Sequence, residues 1–257
     1  MLCTIMIITE LYLITALSIA FLVKDGCGKS YGAKKYVIQQ YNKKHSQFLY
    51  LRRYDNEIKE IFEKTNGQKD FFDDIKDEFP KNKLEAKNRK FYIDGECFGY
   101  AKRLTEAQDL KSSVYQNVKI IIIDEYPIEN TRHRHYLPNE AMVILGIIDS
   151  IIRNRSDIKI FILGNAVEGL EYSPLFSFFN LSLPYNNDIK LFKENLILVQ
   201  YMNNEEFRKD RENTLIGKLA KGTAYEKYAM QNKILDKNKN FIEKKKRLFK
   251  IFFCLCV

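Results

Sequence analysis

At 257 residues and 46% hydrophobic content, the chain is long enough for one large domain with a sizeable core, alone or with a tail. Its net charge of +9, from 42 basic against 33 acidic residues, favours a polyanionic partner. The five cysteines (Cys3, Cys27, Cys97, Cys254, Cys256) are scattered and lack zinc spacing, which speaks against a metal ribbon or disulfide scaffold and fits a reducing compartment.

Met1 to Val23 is apolar apart from Thr4, Thr9, Glu10, Thr15 and Ser18. The length suits a membrane span. However, no basic segment precedes it, no small-residue cleavage site follows it, and Glu10 would be costly in lipid. Residues 17–23 read instead as a first buried strand, because Gly26-Cys27-Gly28-Lys29-Ser30 comes directly after. Residues 1–16 admit an extra core helix, a membrane anchor or a misplaced start.

A Gly-Lys-Ser turn opening a helix is suited to nucleotide phosphates. Backbone amides around Gly26, Cys27 and Gly28 can point at a β-phosphate, aided by the helix dipole. Lys29 would bridge the β- and γ-phosphates and Ser30 would hold magnesium. Val23 stands where the full phosphate-loop pattern has its first glycine.

Ser30 to Lys44 reads as a helix, with Ala33, Val37 and Tyr41 near helical spacing. Phe48 to Leu51 is a short strand ending in Arg52-Arg53. Asn56 to Lys64 and Phe71 to Phe79 read as helices, and Asp94-Gly95 marks a tight hairpin within Lys90 to Tyr100. Lys119 to Ile123 is a central strand, since a run of isoleucines needs both faces covered. It ends in Asp124-Glu125. Asp124 there can bind magnesium, and Glu125, on the opposite side of the pleat, can orient and deprotonate an attacking water.

Pro138 at a first helical position predicts a helix through Ile152, followed by Arg153 and Arg155. These arginines, or Arg52 and Arg53, are candidates to stabilise charge on a transferred phosphoryl group. His133 and His135 lack a third ligand nearby and read as loop residues. Ile158 to Leu163 is another buried strand, and Asn165 just beyond it suits a γ-phosphate sensor. A strand over Asn195 to Tyr201 and a helix over Glu205 to Gly217 follow. Residues 232–250 are rich in lysine and read as a basic tail. The alternation predicts an α/β P-loop NTPase of the additional-strand, catalytic-glutamate type, with a mostly parallel central sheet flanked by helices. Its expected layout is an apolar segment at 1–16, an ATPase domain at 17–230 and a linker or tail at 231–257.

Several longer stretches carry a resemblance. Phe48-Leu49-Tyr50-Leu51-Arg52-Arg53, Asp124-Glu125-Tyr126-Pro127 and Tyr136-Leu137-Pro138-Asn139-Glu140 resemble, in order, the DNA encapsidation ATPases of small tailed phages. Ile162-Leu163-Gly164-Asn165-Ala166, Pro174-Leu175-Phe176, Leu183-Pro184-Tyr185-Asn186 and Gly222-Thr223-Ala224-Tyr225 continue the match to about residue 230. The resemblance implies a terminase-type ring motor in the host cytoplasm. It would dock on the portal of a procapsid and drive double-stranded DNA inward with ATP and Mg2+. By that resemblance Lys29 and Ser30 match the phosphate-loop residues, Asp124 and Glu125 the magnesium and catalytic carboxylates, Asn165 the coupling position, and Arg153 an arginine acting in trans. The family's second, RNase H-like domain would begin after about residue 230, and nuclease activity is not expected of this chain. A helicase-loader type of ATPase shares the same site chemistry, and a membrane-attached protein with a decayed nucleotide site is the rival from another class.

Overall fold

The computed structural model describes residues 18–23, 28–63, 70–106, 115–128, 135–165, 170–184, 189–201, 209 and 212–223. The chain divides into two compact units, Met1–Phe207 and Arg208–Val257. In the first unit the strands are β1 (Ser18–Val23), β2 (Gln47–Arg52), β3 (Leu84–Lys87), β4 (Lys90–Ile93), β5 (Glu96–Arg103), β6 (Val118–Ile123), β7 (Lys159–Gly164), β8 (Ile189–Phe192) and β9 (Ile197–Tyr201). Its helices are α1 (Lys29–Lys44), α2 (Asp55–Phe62), α3 (Glu140–Ile152) and α4 (Pro174–Phe179).

The strands form one sheet in the order β3-β4-β5-β2-β6-β7-β1-β9-β8. The run from β5 to β9 is parallel, and antiparallel pairs β3–β4, β4–β5 and β8–β9 close the two edges. β7 lies between β1 and β6. The isoleucine run of β6 is buried throughout, as are Ile160, Phe161, Ile162 and Leu163 of β7, which explains why continuous apolar segments occupy the middle of the sheet. Alternate residues serve opposite faces. Phe48, Tyr50, Ile120, Ile122, Phe161 and Leu163 join a core with Ala33, Tyr36 and Val37 of α1. Leu49, Leu51, Ile121 and Ile123 are buried on the other face.

Three expected elements take different forms. Phe71 to Phe79 is a chain of turns with one 3-10 turn at Lys76–Glu78, not a helix. Most of its bonds run three residues back, from Ile75 to Phe72 and from Glu78 to Ile75, with a single four-residue bond from Lys76 to Phe72, and Phe72 and Ile75 are both buried in the core. The helix after Pro138 begins at Glu140, because Asn139 adopts a left-handed conformation (φ 52) and the Glu140 carboxylate accepts the Leu137 N–H at 2.8 Å. The helix expected over Glu205 to Gly217 is not continuous: Thr214 is extended and caps a new helix, α5 (Leu215–Ala220), accepting from the Gly217 N–H at 3.1 Å. That helix belongs to the second unit, and residues 202–208, 210 and 211 lie outside the described residues. The Asp94-Gly95 hairpin forms as expected, both residues having positive φ (52 and 88), the requirement of the tight two-residue turn. Among the described residues no helix is long and apolar enough to cross a membrane.

Candidate active site

The carboxyl ends of β2, β6 and β7 and the amino end of α1 bring together residues far apart in sequence. Gly28 precedes α1 in the left-handed region (φ 66), a conformation that favours glycine and turns the chain into the helix. Lys29 is the first residue of α1 and is buried, with Nζ donating to Asn165 Oδ1 at 3.2 Å. Gly26 and Cys27 lie outside the described residues. Val23 is the last residue of β1, paired in backbone register with Gly164 and Tyr201, so the loop proper begins after it.

Ser30 Oγ stands 3.4 Å from both carboxylate oxygens of Asp124. A hydroxyl beside a carboxylate supplies hard oxygen donors, the kind that magnesium selects. Asp124 has two closer partners. The Tyr50 hydroxyl donates to Oδ2 at 2.7 Å and the Glu125 N–H donates to Oδ1 at 3.0 Å. Burial, reinforced by the neighbouring Asp124 carboxylate, pushes the Tyr50 phenol well above its usual range, so the hydroxyl stays protonated and remains a donor.

Glu125 does not continue the pleat of β6. The strand ends at Ile123, and Glu125 takes a left-handed backbone (φ 52), an uncommon state for a residue with a side chain. Its carboxylate is half exposed and lies 2.9 Å from Arg52 Nη1. Thus the expectation of a carboxylate on the opposite side of an extended strand is corrected: the left-handed kink turns it toward the end of β2. Burial alone would lower the Arg52 pKa, but Tyr50, Asp124 and Glu125 together hold it above its ordinary value. Arg52 is therefore a fixed cation of the site, paired with Glu125 in cis.

Arg53 and Arg155 have structural partners. Arg53, 2% exposed, makes a two-pronged bond to the fully buried Glu140 at 2.8 Å and donates to the Tyr126 carbonyl at 2.7 Å. Its guanidinium also lies 5.7 Å from the Tyr126 ring centroid and 5.1 Å from that of Tyr136, on one side of the two neighbouring rings. Arg155 donates to the carbonyls of Tyr115, Gln116 and Val118, tying down the approach to β6. Arg153 is different. It caps the end of α3, is exposed, and among the described residues bonds only the helix end, through Asp149 O and Ser150 O. His133 lies outside the described residues, and the His135 backbone binds the Tyr54 hydroxyl.

The loop after Glu125 is anchored from below. The Tyr126 N–H donates to Leu163 O at 2.9 Å, and its hydroxyl accepts from the Leu175 N–H at 2.7 Å. Gly164 admits Pro127: a Cβ there would lie 1.9 Å from the Pro127 Cδ. Sequence reasoning missed Tyr50 and the Arg52–Glu125 pair. The available signal was the alternation of β2, which places Tyr50 and Arg52 on the same face as the end of β6.

A parallel sheet with a phosphate-loop helix at its edge-on carboxyl ends, a lysine and serine at the helix start and an Asp-Glu strand end two places away define a P-loop-type α/β protein. A family profile, that of the podovirus DNA encapsidation protein (Gp16), matches residues 13–257. The chain belongs to this family. It is 34% identical over 230 residues to the DNA packaging protein of Bacillus phage phi29, covering 90% of this chain and 66% of that protein. The chain thus spans just under two thirds of that relative's length. Its fold is similar to the crystal structure of the N-terminal domain of the DNA packaging ATPase from bacteriophage phi29, with a TM-score of 0.65, 33% identity, and coverage of 76% of this chain and 94% of that one. It is also similar to a chain of the bacteriophage phi29 genome packaging motor assembly, with a TM-score of 0.66, 33% identity, and coverage of 88% and 65%.

Proposed function

We propose that this chain is the ATP-hydrolysing part of a motor that moves double-stranded viral DNA into a procapsid. The observation that carries the reading is the convergence of Lys29, Ser30, Asp124, Glu125 and Asn165 at neighbouring strand ends. The position of β7 between β1 and β6 supports the additional-strand, catalytic-glutamate subclass. ATP with Mg2+ would supply the γ-phosphoryl group and its charge neutralisation. Lys29 would bind the β- and γ-phosphate oxygens, giving up its bond to Asn165, and Ser30 and Asp124 would hold the metal. Glu125 would orient the attacking water and accept its proton, and Asn165, released from Lys29, would sense the γ-phosphate. Gly26, Cys27 and Gly28 would complete the phosphate cradle.

The same reading places the ATPase domain at 17–230 with a basic linker or tail at 231–257, and the motor as a ring at the portal vertex in the host cytoplasm. Arg153, exposed and, among the described residues, unengaged with its own site, is the residue for a neighbouring subunit's nucleotide. The testing experiment is ATP hydrolysis with and without double-stranded DNA, comparing the chain with Glu125→Gln. Turnover stimulated by DNA and reduced about 10²–10⁴-fold in the variant, with nucleotide binding retained, is the expected result. Unchanged turnover in Glu125→Gln would remove the catalytic assignment, and failure to bind nucleotide would remove the ATPase reading.

A further inference from the structure

We propose that Tyr50 is a positioning residue for the metal-binding carboxylate, fixing Asp124 before a cation arrives; the inference rests on the ATPase reading above. β2 and β6 are parallel neighbours with Tyr50 opposite Ile122, so Asp124, two residues beyond, falls within reach of a tyrosine hydroxyl on the same face. Among the described residues the contact is the shortest that the Asp124 side chain makes: 2.7 Å, against 3.0 Å to the Glu125 N–H and 3.4 Å to Ser30. The two close bonds hold different oxygens, Oδ2 by Tyr50 and Oδ1 by Glu125, and a carboxylate gripped at both oxygens cannot rotate freely about its terminal torsion. Each oxygen keeps acceptor capacity for a cation or its water.

The tyrosine ring is itself held. Phe71 meets it edge-on at 5.3 Å and Phe91 at 6.1 Å, and those two rings lie 4.6 Å apart. Lys34 sits 4.5 Å over the Phe71 ring and is anchored by Asp74 at 3.0 Å. The packing alone asks only for an aromatic ring, as Phe48 provides two residues earlier on the same face. The hydroxyl is the addition, and its partner is the carboxylate. Residues that orient a metal's ligands from behind act on affinity for the metal rather than on binding of the organic ligand.

The test is Tyr50→Phe in the full chain, which keeps the ring and removes the hydroxyl. Mn2+ binding in the presence of a non-hydrolysable ATP analogue is read by electron paramagnetic resonance, beside nucleotide affinity in EDTA and the melting temperature without ligand. A Kd for Mn2+ raised about tenfold, with metal-free nucleotide affinity unchanged, is expected. Excess Mg2+ should then restore hydrolysis. A hydroxyl serving only the fold would lower melting and leave the Mn2+ Kd within about twofold of the parent, which would overturn the proposal while the ATPase reading stands. A parent chain that binds no Mn2+ with the nucleotide would overturn both.

Discussion

Glu125 and Gly164 show how single backbone positions decide the reach of the site's side chains. The left-handed turn at Glu125 follows the end of β6 and delivers its carboxylate to Arg52, so the residue after Asp124 is aimed by φ rather than by the pleat. Gly164 does the complementary work on β7. Its missing side chain lets Pro127 lie against the strand just before Asn165. Gly164→Ala would press a methyl group into the proline ring, with backbone on both sides unable to yield. We expect a loss of about 1–3 kcal/mol in stability and a clear fall in hydrolysis, because Asn165 and the Glu125 loop shift together. Thermal melting and steady-state turnover check this, and a variant equal to the parent in both would show that the contact is slack. The sequence made Lys29, Ser30, Asp124, Glu125 and Asn165 visible because each ends or begins a strongly patterned element. Tyr50 stays hidden because an aromatic residue in an apolar strand looks like core, and its hydroxyl partner lies just past the end of a strand whose neighbour cannot be read from local pattern.

Between elements, the governing contact is the buried Arg53–Glu140 pair. It joins the end of β2 to the first turn of α3, and through the Tyr126 carbonyl it also grips the loop that follows the acidic pair. Glu57 adds to the same corner by accepting the N–H groups of Arg53 and Tyr54, which caps α2. Removing one partner of such a pair strands a charge in the interior. Arg53→Ala should therefore cost about 3–5 kcal/mol in urea unfolding, whereas Arg53→Met combined with Glu140→Leu should recover most of that loss. If the single variant unfolds like the parent, the pair is not the anchor described here. β1, β2, β6, β7 and β9 are legible as strands because their sequences are continuous apolar runs or clear alternations. The edge strands β3 and β8 were not, because four-residue strands with half-exposed side chains carry little periodicity. The observed start of α3 lies two residues later than Pro138 predicts, because the left-handed Asn139 overrides a sound helix-start signal.

For the molecule as a whole, Arg153 is a residue that, among the described residues, bonds nothing beyond the helix end it caps. If it completes the site of a neighbouring copy, two defective proteins should repair each other. Arg153→Ala and Glu125→Gln are each expected to lose hydrolysis alone. Mixed in one ring, a Glu125→Gln subunit would lend its arginine to an Arg153→Ala neighbour whose glutamate is intact. Partial recovery of turnover on mixing, in the presence of double-stranded DNA, is the expected outcome, and mixtures no better than the separate proteins would place Arg153 outside the reaction.

The place of β1 has a further consequence, for the order in which the chain is completed. β1 is first in the sequence of strands, yet it lies between β7 and β9. A strand at Ser18–Val23 must therefore wait, without its hydrogen-bonding neighbours, until Lys159–Gly164 and Ile197–Tyr201 have been made. Closing such distant pairings carries a large loop entropy and is slow. Emerging from the ribosome, Ser18–Val23 would stay an unpaired apolar segment until residue 201 has been made. A site built at the carboxyl end of β1 would then form late, once β9 is in place.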